Sequence, residues 1–250
     1  MKVEEIADSS PAENKVGIVI PTYNERENLD LLIPRLFALD QRWSVLIVDD
    51  NSPDGTAQRV CELKKTYPNL FCLSRSRKLG FGSAYRDGFR FALDRGFDVI
   101  VQMDADLSHP PEVIPQMMAQ MNHYDVVIGS RYVVGGGSEG WPMMRRGLSF
   151  FGNFFARTML EFPVKDVTSG FRCFKRKTLE KIRVETTTTN GYAFQIETLH
   201  RICRSGFKVL EIPIVFQSRK HNESKISFCI CGEAFLKVLQ WSCRRFWPVR

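Results

Sequence analysis

Short apolar runs and amphipathic stretches alternate along most of the chain. The apolar runs are rich in β-branched residues and bounded by turn residues, as buried strands are. They are Val16–Pro21, Ser44–Val48, Leu70–Leu73, Asp98–Met103 and Asp125–Gly129. The stretches between them have helical spacing of apolar residues and are Glu25–Leu39, Thr56–Thr66, Gly82–Arg95 and Glu112–Met121. This alternation predicts an α/β fold with a mostly parallel central sheet flanked by helices.

Two of the predicted helices have residues typical of helix starts, and the strict alternation of strand and helix ends after residue 131. Asn24 and Glu27 have the spacing of a capping box, and Pro110 and Pro111 suit a first helical turn. Beyond the glycine-rich loop that begins at Gly135, the remaining segments read as further elements. These are a helix over Arg145–Leu160, strands over Phe171–Phe174 and Lys208–Phe216, a helix over Ala193–Ser205, a polar loop over Arg219–Ser227 and an amphipathic helix over Ile226–Phe246.

Composition places the chain among globular proteins. Of its 250 residues, 44% are hydrophobic and 25% charged, which supports a buried core and excludes disordered and low-complexity classes. Its seven cysteines include no C-x-x-C pair, which favours reduced thiols over a disulfide framework or a zinc knuckle. The polar, acidic first residues do not resemble a signal peptide, and no long uncharged apolar run predicts a transmembrane helix.

The net charge of +7 is divided unevenly along the chain. Residues 1–125 carry 14 basic and 19 acidic side chains, whereas residues 126–250 carry 21 and 9. An acidic half can hold a cation, and a basic half can meet phosphates or an anionic membrane surface, although two differently solvated faces would give the same counts.

Polar residues follow four of the predicted strands, and ligands of parallel sheets bind beyond the carboxyl ends of strands. Asp104 and Asp106 can share one hard divalent cation there, Mg²⁺ or Mn²⁺, with substrate phosphates completing its shell. The alternative is a pair of turn carboxylates with local hydrogen bonds. Asp50 is placed to hydrogen-bond a base or ribose, and Tyr23 to pack against the base. No P-loop or complete dinucleotide fingerprint is present.

Four ordered motifs carry a family resemblance, which runs from about Val16 to Ser227. They are Pro21-Thr22-Tyr23-Asn24-Glu25, Asp49-Asp50-Asn51-Ser52-Pro53-Asp54-Gly55-Thr56, Asp104-Ala105-Asp106-Leu107-Ser108-His109-Pro110 and Gly129-Ser130-Arg131-Tyr132. Together they resemble the family 2 glycosyltransferases, and within them the dolichol-phosphate (polyprenol-phosphate) mannosyltransferases. The resemblance implies a GT-A fold with a Rossmann-like sheet, a GDP-mannose donor and a Mg²⁺ or Mn²⁺ cofactor.

The resemblance also implies roles for individual residues. Asp104, Asp106 and Arg131 would be catalytic, and Asp104, Asp106 and Ser108 would ligate the metal. The substrates would be bound by Pro21, Tyr23, Glu25, Val48, Asp50, Ala105, Arg131, Arg219 and Lys225. The implied domain organisation is a flexible segment over residues 1–15, a catalytic domain over 16–227 and an amphipathic helix over 228–250.

The expected reaction transfers mannose to a polyprenyl (dolichyl) phosphate with inversion. A phosphate monoester is already anionic, so cations must position it and no proton-abstracting residue is required. Glu197 is the leading base if one exists, although a structural ion pair with an arginine is the stronger interpretation. His109 lies near the proposed site, although a histidine followed by a proline is more often a turn residue. The alternatives are a UDP-glucose donor and a non-catalytic nucleotide-sugar-binding subunit, while no recognisable nucleic-acid-binding module accompanies the basic charge.

A polyprenyl acceptor lies in a bilayer, so the enzyme must reach one. The final helix places aromatic residues among Lys237, Arg244 and Arg245, which suits an interfacial helix as well as a helix packed on the sheet. The sequence therefore predicts peripheral attachment at the cytoplasmic face of a membrane, or a small membrane-anchoring subunit.

Overall fold

The computed structural model describes residues 14–218 and 228–246, and within the last helix it describes the side chains of residues 232–243. The strands are β1 (Val16–Thr22), β2 (Ser44–Asp49), β3 (Leu70–Ser74), β4 (Val99–Gln102), β5 (Val126–Ser130), β6 (Gly137–Ser138), β7 (Arg172–Lys175), β8 (Val209–Pro213) and β9 (Val215–Phe216). The α-helices are α1 (Arg26–Leu39), α2 (Thr56–Leu63), α3 (Phe81–Asp94), α4 (Ile114–Ala119), α5 (Met143–Leu160), α6 (Arg176–Lys181), α7 (Gly191–Arg204) and α8 (Phe228–Phe246).

Seven strands form one sheet in the order β3-β2-β1-β4-β7-β5-β8. All its neighbours pair in parallel except β7, which lies antiparallel between β4 and β5. Strands β6 and β9 form a separate parallel pair. Alternate residues of the strands enter two apolar cores, one on each face: Val19 and Val48 pack on the α3 side, and Ile18 and Ile47 on the α1 side. The predicted α/β class with a mostly parallel sheet is confirmed.

Two local predictions are wrong, and a third is confirmed only in part. Helix α1 begins at Arg26 with Glu25 as its N-cap, and the preceding Asn24 has a left-handed φ of 60°, so the predicted capping box does not form. The single strand expected over Lys208–Phe216 is divided at Ile214, because β8 joins the large sheet whereas β9 pairs with β6. The helix expected over Glu112–Met121 is α4 between two 3₁₀ turns, Pro111–Val113 and Gln120–Asn122.

Helix α8 packs against α5 and α7 and has two different faces. Ala234 and Val238 are buried in the core, while Phe235 and Leu236 are 45% and 67% exposed. The two sequence interpretations of this helix, packed and interfacial, are therefore both compatible with its described residues. Within the described part of the chain, no helix combines the length and hydropathy needed to cross a bilayer.

Candidate active site

The Asp104 and Asp106 carboxylates lie directly beyond the carboxyl end of β4. Because β4 runs parallel to β1, this is the same edge of the sheet that the ends of β1 and β2 reach. Between the aspartates and Ser108, Leu107 has a left-handed φ of 64°, so the chain turns sharply here. Ser108 donates both its backbone N–H and its hydroxyl to Asp106 Oδ1. The turn thus fixes one oxygen of Asp106, which is 5% exposed.

Tyr85 of α3 also supports this turn, through hydrogen bonds of its hydroxyl. Its hydroxyl donates to the Met103 carbonyl at 2.9 Å and lies 3.2 Å from Asp104 Oδ1. Complete burial raises the pKa of Tyr85 well above its ordinary value, and the negative charges of Asp104 and Asp106 add to that rise. Tyr85 therefore stays a neutral phenol, and the two aspartates make this edge of the sheet negatively charged. That negative charge favours binding of a cation.

The donor set fits a hard divalent cation. Asp104 and Asp106 supply two carboxylates, and Mg²⁺ and Mn²⁺ prefer such oxygen ligands while retaining positions for water and substrate phosphate. In the described ranges, 14–218 and 228–246, no group of three or more His, Cys, Asp or Glu side chains could hold a metal. A cation at this edge would thus depend on oxygens from substrate or water as well as from the two aspartates. The Ser108 hydroxyl is engaged with Asp106, and its role as a metal ligand stays a prediction.

His109 lies at this site, as its place in the sequence indicated, and supports the turn that carries Asp104. Its Nδ1 accepts a hydrogen bond from the Asp104 backbone N–H at 3.1 Å. The ring is 1% exposed, stacks on Phe171 with the centroids 5.1 Å apart, and meets the Phe216 ring edge-on. It therefore connects the Asp104 main chain to Phe171, directly before β7, and to Phe216 in β9. Its position five residues after Asp104 was visible in the sequence, but the two aromatic partners were not.

Asp50 and its neighbour Asp49, at the end of β2, organise two loops. Asp50 Oδ1 accepts from Arg75 Nη1 and from the Leu79 N–H, each at 2.9 Å, and Oδ2 accepts from the Gly80 N–H at 2.8 Å. Asp49 accepts from Thr22 and Ser52. The Asp50 carboxylate, expected to meet a base or ribose, thus anchors the loop that leads into α3; direct contact with a nucleotide stays a prediction.

The other predicted donor-site residues surround the ends of β1 and β2. Pro21, Tyr23 and Glu25 are half-buried at this edge, and the Lys78 ammonium lies 3.5 Å from the centre of the Tyr23 ring. Ala105 is 3% exposed between the two aspartates. The Val48 side chain is fully buried in the core against α3, so only its main chain could face a ligand.

Arg131 follows β5 and forms a buried ion pair. It binds Asp166 through Nε and Nη2 at 2.8 and 2.7 Å, and Nη2 also reaches Thr168 at 2.8 Å. Burial by itself would lower the pKa of Arg131, but the Asp166 carboxylate outweighs that effect and raises it. Burial by itself would raise the pKa of Asp166, but the Arg131 guanidinium outweighs that effect and lowers it. Arg131 therefore stays a cation whose charge Asp166 largely balances.

The three remaining sequence candidates have different outcomes. Glu197 binds Arg201 at 2.6 Å and accepts from Thr188 and Thr189, which confirms the structural interpretation. Arg219 and Lys225 lie outside the described residues. Their contacts with phosphates stay predictions.

Arg172, one of the basic residues of the second half of the chain, is a buried structural cation near the site and neither a solvated surface charge nor a phosphate-binding group. Arg172 is fully buried and donates to three backbone carbonyls, Ser169, Val167 and Gln195, and to the Thr198 hydroxyl. Burial lowers its pKa to about 10. Arg172 thereby holds in place the segment that carries Asp166 and Thr168. The sequence did not indicate this role, because all but one of the acceptors of Arg172 are main-chain atoms.

Comparison with known proteins identifies the family. Residues 17–183 match the sequence model of glycosyl transferase family 2. An undecaprenyl-phosphate mannosyltransferase of Micrococcus luteus is 41% identical over 93% of this chain and 96% of its own length. A polyprenol monophosphomannose synthase of Mycolicibacterium smegmatis is 41% identical over 91% of this chain and 86% of its own.

Solved structures share the fold at much lower identity. Glucosyl-3-phosphoglycerate synthase of Mycobacterium tuberculosis, solved with Mn²⁺, UDP and phosphoglyceric acid, has a TM-score of 0.68 and 17% identity, with 92% of this chain and 79% of that one covered. A Pyrobaculum calidifontis mannosyltransferase in complex with GDP-Man and Mn²⁺ has a TM-score of 0.62 and 16% identity, with 97% and 68% covered. These neighbours confirm the GT-A fold, and the family match with the two close relatives shows that this chain is a member of glycosyl transferase family 2.

Proposed function

We propose that this chain transfers mannose from GDP-mannose to a polyprenyl phosphate and inverts the anomeric carbon. The observation that carries the proposal is the 41% identity, over nearly the whole chain, to two relatives named for polyprenol-phosphate mannosylation. At this identity the relatives' substrates are the strongest guide to those of the chain. The site's chemistry supports the same reaction.

The departing nucleoside diphosphate carries the charge that catalysis must stabilise. Asp104 and Asp106 would hold a Mg²⁺ or Mn²⁺ ion, and a bound ion would neutralise developing negative charge on the diphosphate. His109 and Ser108 keep the two aspartates in place before substrate binds. Because these contacts are preformed, little reorganisation is needed when the donor enters.

The role of Glu197 favours a phosphate acceptor over an alcohol. An alcohol would need a carboxylate to take its proton, and Glu197, the leading base in the sequence, is committed to Arg201 and the Thr188–Thr189 segment. A phosphate monoester is ionised without such help. Arg131, together with Arg219 and Lys225, would position the acceptor and the phosphates.

Attachment to the membrane is part of the proposal. The described helices include none that could span a bilayer, whereas the acceptor is a lipid. We infer peripheral binding at the cytoplasmic face, either directly or through a small membrane-anchoring subunit.

The test is transfer of radiolabel from GDP-mannose, with UDP-glucose in parallel, to a detergent-solubilised polyprenyl phosphate in the presence of Mg²⁺, Mn²⁺ or EDTA. Metal-dependent labelling from GDP-mannose and a β-linked product are expected. Labelling from UDP-glucose alone would replace the sugar, an α-linked product would contradict inversion, and no labelling by either donor would contradict the transferase assignment.

A further inference from the structure

Gln195 of α7 carries a buried amide group beside the candidate active site. The side chain is 2% exposed, and its Oε1 accepts a hydrogen bond from Gln102 Nε2 at 2.9 Å. Among the residues that the structure describes, the Gln195 Nε2 has no hydrogen-bond partner. Native proteins pair nearly all buried polar groups, because an unpaired one costs stability. The Gln195 amide therefore indicates a contact that forms when a ligand binds.

Gly170, two residues before β7, leaves space in front of this amide. A Cβ at Gly170 would lie 3.5 Å from Gln195 Nε2 and 3.6 Å from Asp104 Oδ2. His109 Cε1 would also be 3.5 Å away. These are ordinary contact distances, so the three atoms lie around one position that is clear because residue 170 has no side chain. Asp104 and Gly170 are partly exposed, whereas the other two residues are buried, so a ligand can enter from the Asp104 side.

The two polar atoms at this position favour a hydroxyl group. The Asp104 carboxylate accepts hydrogen bonds and repels anions, whereas the Gln195 N–H donates and disfavours a cation beside it. The negative charge of Asp104 also favours the amide orientation in which Nε2, and not Oε1, faces it. A hydroxyl can both accept from Gln195 and donate to Asp104.

We propose that Gln195 and Asp104 bind one hydroxyl of the transferred sugar between them, and that Gln195 thereby helps to determine which sugars the site accepts. The inference rests on the proposed function for the presence of a nucleotide sugar, and it adds a residue that contacts the sugar. The sugar is joined to the diphosphate that a cation at Asp104 and Asp106 would hold. An analogue without the hydroxyl would leave the Gln195 N–H unpaired, and sites of this kind reject such analogues.

Two matched pairs of variants separate this contact from packing. Gly170→Ala places a methyl group at the position without a clash, because the neighbouring atoms are at ordinary contact distances. Gly147→Ala is its control, since an added Cβ there meets nothing within 4 Å. Gln195→Leu removes the amide donor, whereas Gln102→Leu breaks the same hydrogen bond between the two glutamines and keeps that donor.

Calorimetry with Mn²⁺ and without an acceptor measures the affinity for GDP-mannose relative to GDP, which has the same base, ribose and diphosphate but no mannose. The comparison cancels any effect of a variant on the metal, the base or the ribose. The relative affinity should fall about ten-fold or more in Gly170→Ala and in Gln195→Leu, because a hydrogen-bonded hydroxyl loses its place or its donor. Gly147→Ala and Gln102→Leu should change it little.

The hydroxyl itself is tested with GDP-mannose analogues that each lack one sugar hydroxyl. One analogue should bind the unaltered protein about ten-fold less tightly than GDP-mannose does. The same analogue should lose little more in Gly170→Ala, because the variant and the analogue remove the same contact. Losses that are additive for every analogue would overturn the proposal.

An unchanged relative affinity in Gly170→Ala and Gln195→Leu, or an equal loss in both glutamine variants, would also overturn it. Thermal melting reports the folding of each variant, and Gly170→Ala with the analogues decides the outcome if Gln195→Leu does not fold. A ribose hydroxyl at this position would weaken GDP and GDP-mannose equally and would contradict the sugar contact.

The same measurements with UDP-glucose and UDP distinguish this inference from the proposed function. Sensitivity to Gly170→Ala with UDP-glucose alone would support the sugar contact and contradict the proposed donor. Mannosyl transfer by the unaltered protein, together with a relative affinity that Gly170→Ala leaves unchanged, would contradict the sugar contact only. Binding of neither donor would contradict both.

Discussion

At the scale of single residues, the carboxylates beyond β4 are held by contacts that come from distant parts of the chain. Tyr85, from α3, lies beneath Asp104, and His109 binds its main chain while packing on Phe171 and Phe216. The D-x-D spacing indicated the site, but the residues that support it could be recognised only after folding. Their contacts connect segments that are far apart in sequence.

Asp104→Ala should lower mannosyl transfer by at least about 10²-fold, because one of two carboxylates for a divalent cation is lost. Titration of Mn²⁺ by calorimetry should show weaker binding than in the unaltered protein. Asp94→Ala, at the exposed end of α3, is the control and should change neither quantity. Unaltered Mn²⁺ affinity in Asp104→Ala would remove the metal assignment.

The Arg131–Asp166 pair gives a pH-dependent prediction. Asp166 is fully buried, and Arg131 lowers its pKa. The pair therefore contributes its full stability above the ordinary aspartate pKa of about 3.9, and this contribution is lost as the pH falls through the lowered pKa of the folded state. Asp166→Asn should cost about 3–5 kcal/mol at neutral pH, because it leaves Arg131 buried without its partner.

Urea unfolding at pH 7 and near pH 3.5 would check this. The difference in the free energy of unfolding between the unaltered protein and Asp166→Asn should be smaller at the lower pH. Glu112→Gln removes an exposed ion pair to Arg35 and should cost less than about 1 kcal/mol at neutral pH. A difference that is the same at both pH values would contradict a lowered Asp166 pKa.

At the scale of elements, strand and helix periodicity predicted most of the fold, while boundaries depended on pairing. The run Lys208–Phe216 has the pattern of one strand, yet Ile214 separates β8 from β9 because the two halves hydrogen-bond to different sheets. Strand β7 was predicted, but not its antiparallel place between β4 and β5. Local pattern cannot specify which distant strand provides the hydrogen bonds.

Replacing a glycine by alanine should change the stability of the protein in opposite directions in two of its helices. At Gly88 in α3 an added Cβ would lie 2.3 Å from Val19 Cγ1, so Gly88→Ala should cost about 1–3 kcal/mol despite the better helix propensity of alanine. At Gly147 in α5 an added Cβ meets nothing within 4 Å, and Gly147→Ala should stabilise by up to about 1 kcal/mol. Urea unfolding measures both, and stabilisation by Gly88→Ala would contradict the close packing of α3 on β1.

At the scale of the whole molecule, exposed apolar side chains concentrate on α5 and α8. Met143, Phe150 and Phe154 of α5 are 88%, 61% and 56% exposed, and Leu236 of α8 is 67% exposed. Basic side chains on the same helices, such as Arg146 and Lys237, provide charge complementary to anionic lipid. This arrangement supports direct membrane binding by these two helices.

Replacing Phe150 and Phe154 together by serine should lower recovery on anionic phospholipid vesicles by about ten-fold or more. The reason is that the transfer of two aromatic side chains from water into the membrane is lost. Leu31→Ser is the control, since Leu31 on α1 is 51% exposed and lies on neither helix. Vesicle sedimentation measures the recovery. Full recovery of the double variant would contradict membrane binding through α5.

Hydrophobic periodicity was enough to determine the α/β class, and the resemblance of the four strand-end motifs to a known family was enough to indicate the family and to single out Asp104 and Asp106. These properties depend on residues close together in the chain, where spacing alone places side chains on one face or at one strand end. Tertiary structure alone decided the roles of His109, Arg172 and Asp166 and the burial of Val48. Each depends on contacts between residues distant in sequence, and such contacts form only when the packed sheet and helices bring their segments together.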